Sequence, residues 1–153
     1  MRKLVNAGAD AFELIPNSLI GLLARFAMGL VFFRSWLTKV DLATLSIKPA
    51  TFYLFANEYN LPVIPPDLAA YITVAAELAL PILLCLGLLT RYAAAAMLVM
   101  TLVIQFFVYP NAYMTHLLWM VGLLVVMKYG PGKLSLDHLL WRDGGRPMIA
   151  SET

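Results

Sequence analysis

Four long apolar segments alternate with polar connections along this chain. They run over about residues 18–37, 68–89, 92–108 and 112–127. A helix rises about 1.5 Å per residue, so crossing a hydrocarbon core of about 30 Å takes ~20 residues, with a lower limit of about 17. The pattern therefore predicts four transmembrane helices, of which the last two are short and close to this lower limit.

The two ends of the chain have the pattern of helices that lie on the membrane surface. Between residues 4 and 15, apolar positions recur at helical spacing beside charged ones. After the fourth span, Gly130-Pro131-Gly132 ends the helix, and Ser135 is placed to cap a short apolar-faced helix over residues 136–141. Because such segments are too short to cross the bilayer, we predict interfacial helices at both termini.

The connection between the first two spans is the longest and contains a helix of its own. Pro49 suits a first helical turn, and Phe52, Phe55 and Tyr59 then fall on one face. A proline-rich stretch ends this helix and leads into the second span. We therefore predict an all-α fold, an integral membrane four-helix bundle with short interfacial helices at both termini and in the outer loop.

The composition agrees with a membrane protein. Of the 153 residues, 61% are hydrophobic and 13% are charged, whereas a soluble domain is about half apolar and a quarter charged. The length fits one domain over residues 1–153. The single cysteine, Cys85, excludes an internal disulfide and a CxxC redox pair. Because no basic patch is interleaved with aromatic residues, we expect the lipid bilayer, and not nucleic acid, as a partner.

Basic residues are distributed unequally between the two sides of the predicted bundle. With four spans, both termini share a side with the short turn between the second and third spans. That side holds Arg2, Lys3, Arg91, Lys128, Lys133, Arg142 and Arg146. The other side holds Arg34, Lys39 and Lys48. Since Lys and Arg accumulate on the cytoplasmic side, we predict a multi-pass protein with both termini in the cytoplasm.

Each predicted span carries one buried polar side chain. Measured from the cytoplasmic ends of the spans, Arg25 lies about 10 Å deep, Glu77 and His116 about 18 Å, and Gln105 about 20 Å. Lipid offers no hydrogen-bond partners, so the bundle has to satisfy these groups internally. We therefore predict that the four face one another in a single polar layer, which the long arginine side chain reaches.

Two interpretations of this layer remain open. In the first, Arg25 and Glu77 form a structural ion pair, supported by hydrogen bonds from Gln105 and His116. In the second, the same four residues and Trp119 form a ligand-binding site, because ionisable groups within a membrane mark sites or pathways. His116 is the most versatile member, since imidazole can titrate near neutral pH, hydrogen-bond a quinone carbonyl or bind a metal.

A metal site has weaker support from the sequence. His116, Met97 and Met120 are candidate soft ligands of the kind that suit cuprous copper. Methionine, however, is a common packing residue in apolar chains. The sequence has no HExxH motif, no paired cysteines, no carboxylate cluster and no glycine-rich phosphate loop. We therefore expect no resident metal and find no support for a hydrolase or a nucleotide-binding protein.

Several motifs resemble the DoxX family of small four-helix bacterial membrane proteins. They are LARFAMGL at residues 23–30, Lys39-Val40 at the end of the first span, the run from Glu77-Leu78 to LGLLTR at residues 86–91, and GPGKLSLD at residues 130–137. The resemblance covers about residues 18–140 and implies a location in the bacterial cytoplasmic (inner) membrane. The polar positions of the family correspond here to Arg25, Lys39, Glu77, Arg91 and Asp137.

The resemblance implies a link to redox systems, because DoxX-type proteins are associated with thiosulfate:quinone oxidoreductase subunits, oxidative-stress membrane complexes and metal-linked gene clusters. Our first hypothesis is a membrane subunit of a redox-linked system that binds a quinone from the membrane, or a redox partner, at the polar layer. The chain has no cofactor motif of its own. It would therefore take part in catalysis only within an oxidoreductase complex, and no catalytic residue is assigned.

Two other functions remain open from the sequence. One is a non-catalytic assembly or stabilising factor for a membrane or periplasmic complex, docking through Phe52, Phe55 and Tyr59 and the interfacial helices. The other is a metal or small-molecule carrier, which would need an oligomer because four short helices leave little room for a pathway. Each hypothesis implies a protein partner or a homo-oligomer.

Overall fold

The computed structural model describes residues 14–59 and 61–141, except for the side chain of residue 141. The N-terminal surface helix predicted between residues 4 and 15 lies outside this range, apart from its last two residues. The helices are α1 Asn17–Lys39, α2 Pro49–Leu54, α3 Pro66–Leu86, α4 Thr90–Val103, α5 Tyr113–Tyr129 and α6 Leu136–Trp141. The strands are β1 Val40–Asp41 and β2 Ser46–Ile47.

Four helical segments are long and apolar enough to cross a membrane, so the predicted all-α membrane bundle is confirmed. The first two spans, α1 and α3, have 23 and 21 residues. A π-helix at Ile104–Val108 continues α4 to a span of 19 residues, and a 3-10 turn at Pro110–Ala112 precedes α5 in a span of 20. The last two spans are therefore longer than predicted, because both helices continue into polar residues that the apolar pattern leaves out.

Proline and glycine set several of the helix boundaries. Helix α1 follows Pro16, and α3 begins at Pro66, whose fixed φ suits a first turn and whose missing N–H has no helical partner there. Helix α3 ends at Gly87 with a φ of 71°. Because this left-handed conformation is free of strain in glycine, the chain can turn sharply into α4.

The four long helices surround one apolar core. Helix α1 packs against α3 and α5, and α4 packs against the same two, so the order around the bundle is α1, α3, α4, α5. Buried side chains at the centre include Met28, Phe32, Leu84, Met97 and Leu123. Large apolar residues are exposed on the outward faces, as expected where lipid surrounds the protein. They include Leu23, Leu30, Ile72, Val99 and Leu118.

The loop end of the bundle is the end covered by residues 40–65. Strands β1 and β2 form a small antiparallel hairpin there, which the sequence pattern does not predict. Helix α2 continues as a π-helix at Phe55–Tyr59, so a helix in the outer loop is confirmed. Its aromatic face points inward: Phe55 is buried and clusters with Phe52 and Tyr59 against the start of α3. Phe55 is therefore not available as a docking residue, whereas Phe52 and Tyr59 are partly buried against their own chain.

The turn end, formed by residues 87–90 and 130–141, lies at the opposite end of the bundle. The Asp137 carboxylate accepts hydrogen bonds from the Leu89 N–H at 2.8 Å, the Thr90 N–H at 2.9 Å and the Thr90 hydroxyl at 2.8 Å. These bonds hold α6 against the start of α4. Ser135 Oγ accepts from the His138 N–H at 3.1 Å, so the predicted cap of α6 is confirmed.

Candidate ligand-binding site

A cavity of about 290 Å³ lies between the four long helices at the loop end. Apolar side chains from all four helices and from the outer loop form most of its wall. The polar side chains that line it are Ser35, Lys39, Tyr59, Thr73, Glu77, Tyr109 and His116. A few polar groups that converge in an otherwise apolar cavity are typical of small-molecule binding sites.

One wall of the cavity contains a buried ion pair between Lys39 and Glu77. Lys39 Nζ donates to Glu77 Oε1 at 2.8 Å, to Oε2 at 2.9 Å and to Ser35 Oγ at 2.7 Å. The Ser35 hydroxyl in turn donates to Glu77 Oε1 at 3.0 Å. The side chains of Lys39 and Glu77 are only 7% and 3% exposed. The three groups therefore satisfy one another, as buried charges require.

The predicted ion pair between Arg25 and Glu77 is wrong. Side chains on a helix lean toward its N-terminus. In α1 the side chain of Arg25 therefore points toward the turn end, away from Glu77. Lys39 is the last residue of the same helix, and its side chain points back into the bundle. The single polar layer predicted from depth is thus divided between the two ends.

Arg25 is buried at the turn end, where its guanidinium binds backbone carbonyls. Nε donates to the Leu84 carbonyl at 2.9 Å and Nη2 to the Cys85 carbonyl at 2.8 Å. Nη1 donates to the carbonyls of Leu134, at 3.1 Å, and Pro131. The last carbonyls of a helix lack helical partners, so Arg25 both caps α3 and ties it to the C-terminal segment. Arg25 lies outside the cavity and has a structural role.

The predicted contact between Gln105 and His116 is present at the loop end. His116 Nδ1 lies 2.6 Å from Gln105 Oε1, and Gln105 Nε2 donates to the Pro110 carbonyl at 2.8 Å. His116 is 3% exposed and lines the cavity. Gln105 is not part of the lining and supports the ring from behind.

Aromatic rings flank His116 along the wall between α1 and α5. The Trp119 ring lies 5.2 Å from the His116 ring and 5.9 Å from the Phe32 ring, measured between centroids. All three side chains line the cavity. Trp119 is therefore placed as predicted, beside His116, where it presents a broad apolar surface to any ligand.

Two tyrosines close the loop end of the cavity. The rings of Tyr59 and Tyr109 are 5.7 Å apart and nearly perpendicular, at 87°. Burial, and then the neighbouring Tyr109, raise the pKa of Tyr59 above its usual value. Tyr59 is therefore a neutral hydroxyl at physiological pH, able to donate or accept a hydrogen bond.

The cavity reaches the surface of the bundle between α3 and α4. Its lining includes Ile72 on α3 and Val99 on α4, which are 53% and 59% exposed. Since both outward faces are apolar, the opening leads to the region expected to contain lipid.

The candidate metal ligands are not gathered in the cavity. Met97 is fully buried in the apolar core, and neither Met97 nor Met120 lines the cavity with His116. Among residues 14–59 and 61–141, no three His, Cys, Asp or Glu side chains are placed to hold a metal ion.

Three of the five candidate residues, Glu77, His116 and Trp119, line the cavity, whereas Gln105 lies behind it and Arg25 at the other end of the bundle. The sequence places Lys39 at the outer end of the first span, and the resemblance includes it among the polar positions of the family, but Lys39 is not among the predicted site residues. The available signal was the direction of helical side chains, which returns a lysine at the end of α1 toward the bundle. The contribution of Ser35 follows from its position one turn before Lys39.

The fold and its cavity define a class, that of a multi-pass four-helix membrane protein with an interior cavity that is mostly apolar and carries a few polar side chains. Within this class the chain belongs to the DoxX family, whose model matches residues 20–110. This range contains most of the first span, the outer loop, and the second and third spans. The resemblance inferred at residues 130–137 lies beyond it.

An uncharacterized protein of Haemophilus influenzae is 33% identical to this chain over 94 residues. The match covers 56% of this chain and 61% of the relative, so the chain spans less than two thirds of that protein's length. No solved structure matches the chain significantly.

Proposed function

We propose that the cavity binds the ring of a membrane quinone and that the protein is a membrane subunit of a redox-linked system. The observation that carries this proposal is the cavity itself, which is mostly apolar, opens toward lipid and contains His116 beside the Lys39–Glu77 pair. A quinone has the matching chemistry, because its ring faces are apolar and its polar oxygens lie at opposite edges.

The size of the cavity supports a ring as the occupant. A volume of about 290 Å³ is at the lower end of the ~300–1,000 Å³ typical of small-molecule sites. Such a volume accommodates one substituted ring and excludes a whole lipid. The isoprenoid tail would leave between Ile72 and Val99 and remain in the bilayer.

The chain has no cofactor motif, so a partner protein would exchange electrons with the bound quinone. The basic residues of the sequence are more numerous on the predicted side of the two termini, which supports cytoplasmic termini and therefore a loop end that faces outward. The electron-exchanging partner protein would then bind at the outer side of the membrane, next to the cavity.

Quinone content of the purified protein tests this proposal. The protein is extracted from bacterial membranes in mild detergent, and quinone per mole of protein is measured by mass spectrometry. Val31 lines the cavity, so Val31→Phe should fill part of it and lower the quinone content about tenfold or more.

Leu30→Phe is the matched control, because Leu30 adjoins Val31 in sequence but is 61% exposed on the outward face. It adds a ring of the same size and reports the quinone that merely partitions into the detergent. Equal quinone content in the wild type and both variants would overturn the proposal.

A further inference from the structure

The hydrogen bonds behind the cavity determine which nitrogen of His116 carries a proton. A proline carbonyl can only accept a hydrogen bond, so the Gln105 atom 2.8 Å from the Pro110 oxygen has to be the amide nitrogen. Gln105 Oε1 then faces His116 Nδ1 at 2.6 Å. Because this oxygen can also only accept, the proton lies on Nδ1.

In the neutral ring, the other nitrogen of His116 is therefore an acceptor. Nε2 carries a lone pair, and in the part of the chain that the structure describes it has no hydrogen-bond partner. His116 lines the cavity and Gln105 does not. The polar group that His116 offers to a ligand is consequently the Nε2 lone pair.

The neighbouring ion pair adds no free donor at this position. The three protons of Lys39 are directed to Ser35 Oγ and to both oxygens of Glu77. The hydroxyls of Tyr59 and Tyr109 and the Trp119 N–H can donate to any ligand oxygen, so they do not distinguish a carbonyl from a hydroxyl. Discrimination between these groups therefore depends on the groups that can only accept, His116 Nε2 and the Glu77 carboxylate, and of these two Gln105 contacts only His116.

We propose that the cavity selects the reduced, hydroquinone form of its ligand through a hydrogen bond from a ring hydroxyl to His116 Nε2. This inference rests on the quinone class proposed above and adds the redox state of the ligand. The oxidised form presents only carbonyl oxygens, which are acceptors and face the His116 lone pair without a proton between them. Gln105 is then a positioning residue that acts through His116.

The expected discrimination follows from one missing hydrogen bond. A quinone carbonyl that is buried against His116 Nε2 leaves both acceptors without a hydrogen-bond donor. The free-energy cost of this missing hydrogen bond corresponds to a preference of about tenfold for the hydroquinone. Gln105→Leu removes the group that fixes the tautomer, so the preference should fall toward unity. Phe106→Leu is the matched control, because Phe106 follows Gln105 but is 71% exposed.

Nitrogen NMR of protein labelled with 15N-histidine tests the tautomer directly. The chain has two histidines, and His138→Gln assigns the signals. We expect a protonated Nδ1 and an unprotonated Nε2 for His116 in the wild type, and a mixture of tautomers in Gln105→Leu. A proton on Nε2 in the wild type would overturn the inference.

Binding of a short-chain quinone and its hydroquinone, measured anaerobically by calorimetry in detergent, tests the selection. We expect the wild type and Phe106→Leu to bind the hydroquinone about tenfold more tightly, and Gln105→Leu to bind the two forms about equally. If the wild type binds both forms equally, or prefers the quinone, this inference is wrong while the quinone site stands. If the wild type binds neither form, the proposed function itself fails, and the inference fails with it.

Discussion

Each buried charge that the structure describes in the spans has a full set of polar partners. Lys39 and Glu77 satisfy each other with the help of Ser35, whereas Arg25 is satisfied by four backbone carbonyls. Both solutions meet the same requirement, since lipid supplies no hydrogen bonds. They differ in consequence, because only the first places charged side chains along a cavity.

Glu77→Gln should destabilise the protein by about 3–5 kcal/mol, because it leaves the Lys39 ammonium buried without a counter-charge. The double variant Lys39→Met with Glu77→Leu should recover most of this loss, since no charge then remains buried. The free energy of unfolding in detergent measures both effects.

Glu58→Gln is the control for Glu77→Gln, because it removes the same charge from a side chain that is exposed on the surface of the outer loop. It should shift the free energy of unfolding by no more than about 0.5 kcal/mol. Additive losses in the double variant would mean that Lys39 and Glu77 do not act as a pair.

At the scale of elements, the apolar pattern predicts the four spans well and their ends less well. The interior of each span is recognisable because lipid requires a long apolar run. Thr90-Arg91 and Lys128-Tyr129 are polar in sequence yet helical in the structure, since contacts at the turn end continue the helix. The hairpin and the two π-helices have no comparable pattern, because they depend on packing at the loop end.

Asp137→Ala should loosen α6 from the turn end by removing three hydrogen bonds to Leu89 and Thr90. The expected loss is about 1–2 kcal/mol, the usual range for a side-chain cap at a helix start. Limited proteolysis should then cut faster between residues 130 and 141. Asp137→Asn retains one acceptor oxygen and should show an intermediate rate. Unchanged cleavage in both variants would contradict this role of Asp137.

Gly29 sets the distance between α1 and α3. A Cβ placed on this glycine would lie 2.5 Å from Cys85 Sγ and 3.5 Å from the Pro81 carbonyl oxygen. Gly29→Ala should therefore cost about 1–3 kcal/mol of unfolding free energy by overpacking the contact. Combining it with Cys85→Ala should restore much of the loss, because the sulfur is the nearest obstacle. A double variant no more stable than Gly29→Ala would show that the backbone contact dominates.

At the scale of the whole molecule, the two ends of the bundle have different roles. The turn end is closed by hydrogen bonds of Arg25, Asp137 and Ser135, whereas the loop end surrounds a cavity. The depth of the polar residues along the spans does not predict that they divide between the two ends of the bundle, and it does not predict which groups bind each other. Depth ignores the direction in which side chains leave a helix. His116 adjoins both Gln105 and Trp119, a proximity that the sequence can indicate because the three lie on adjoining parts of two consecutive spans.

The partners of Arg25 also bear on how the molecule is made. The Pro131 and Leu134 carbonyls lie 106 and 109 residues after Arg25 in the chain. The first span therefore enters the bilayer during synthesis before any of the four carbonyls that bind its arginine has been made, at a cost of up to about 3 kcal/mol. Two of the four carbonyls arrive with the second span and the other two only with the segment that follows the fourth span. Closure of the bundle is thus coupled to synthesis of that segment through one side chain of the first helix.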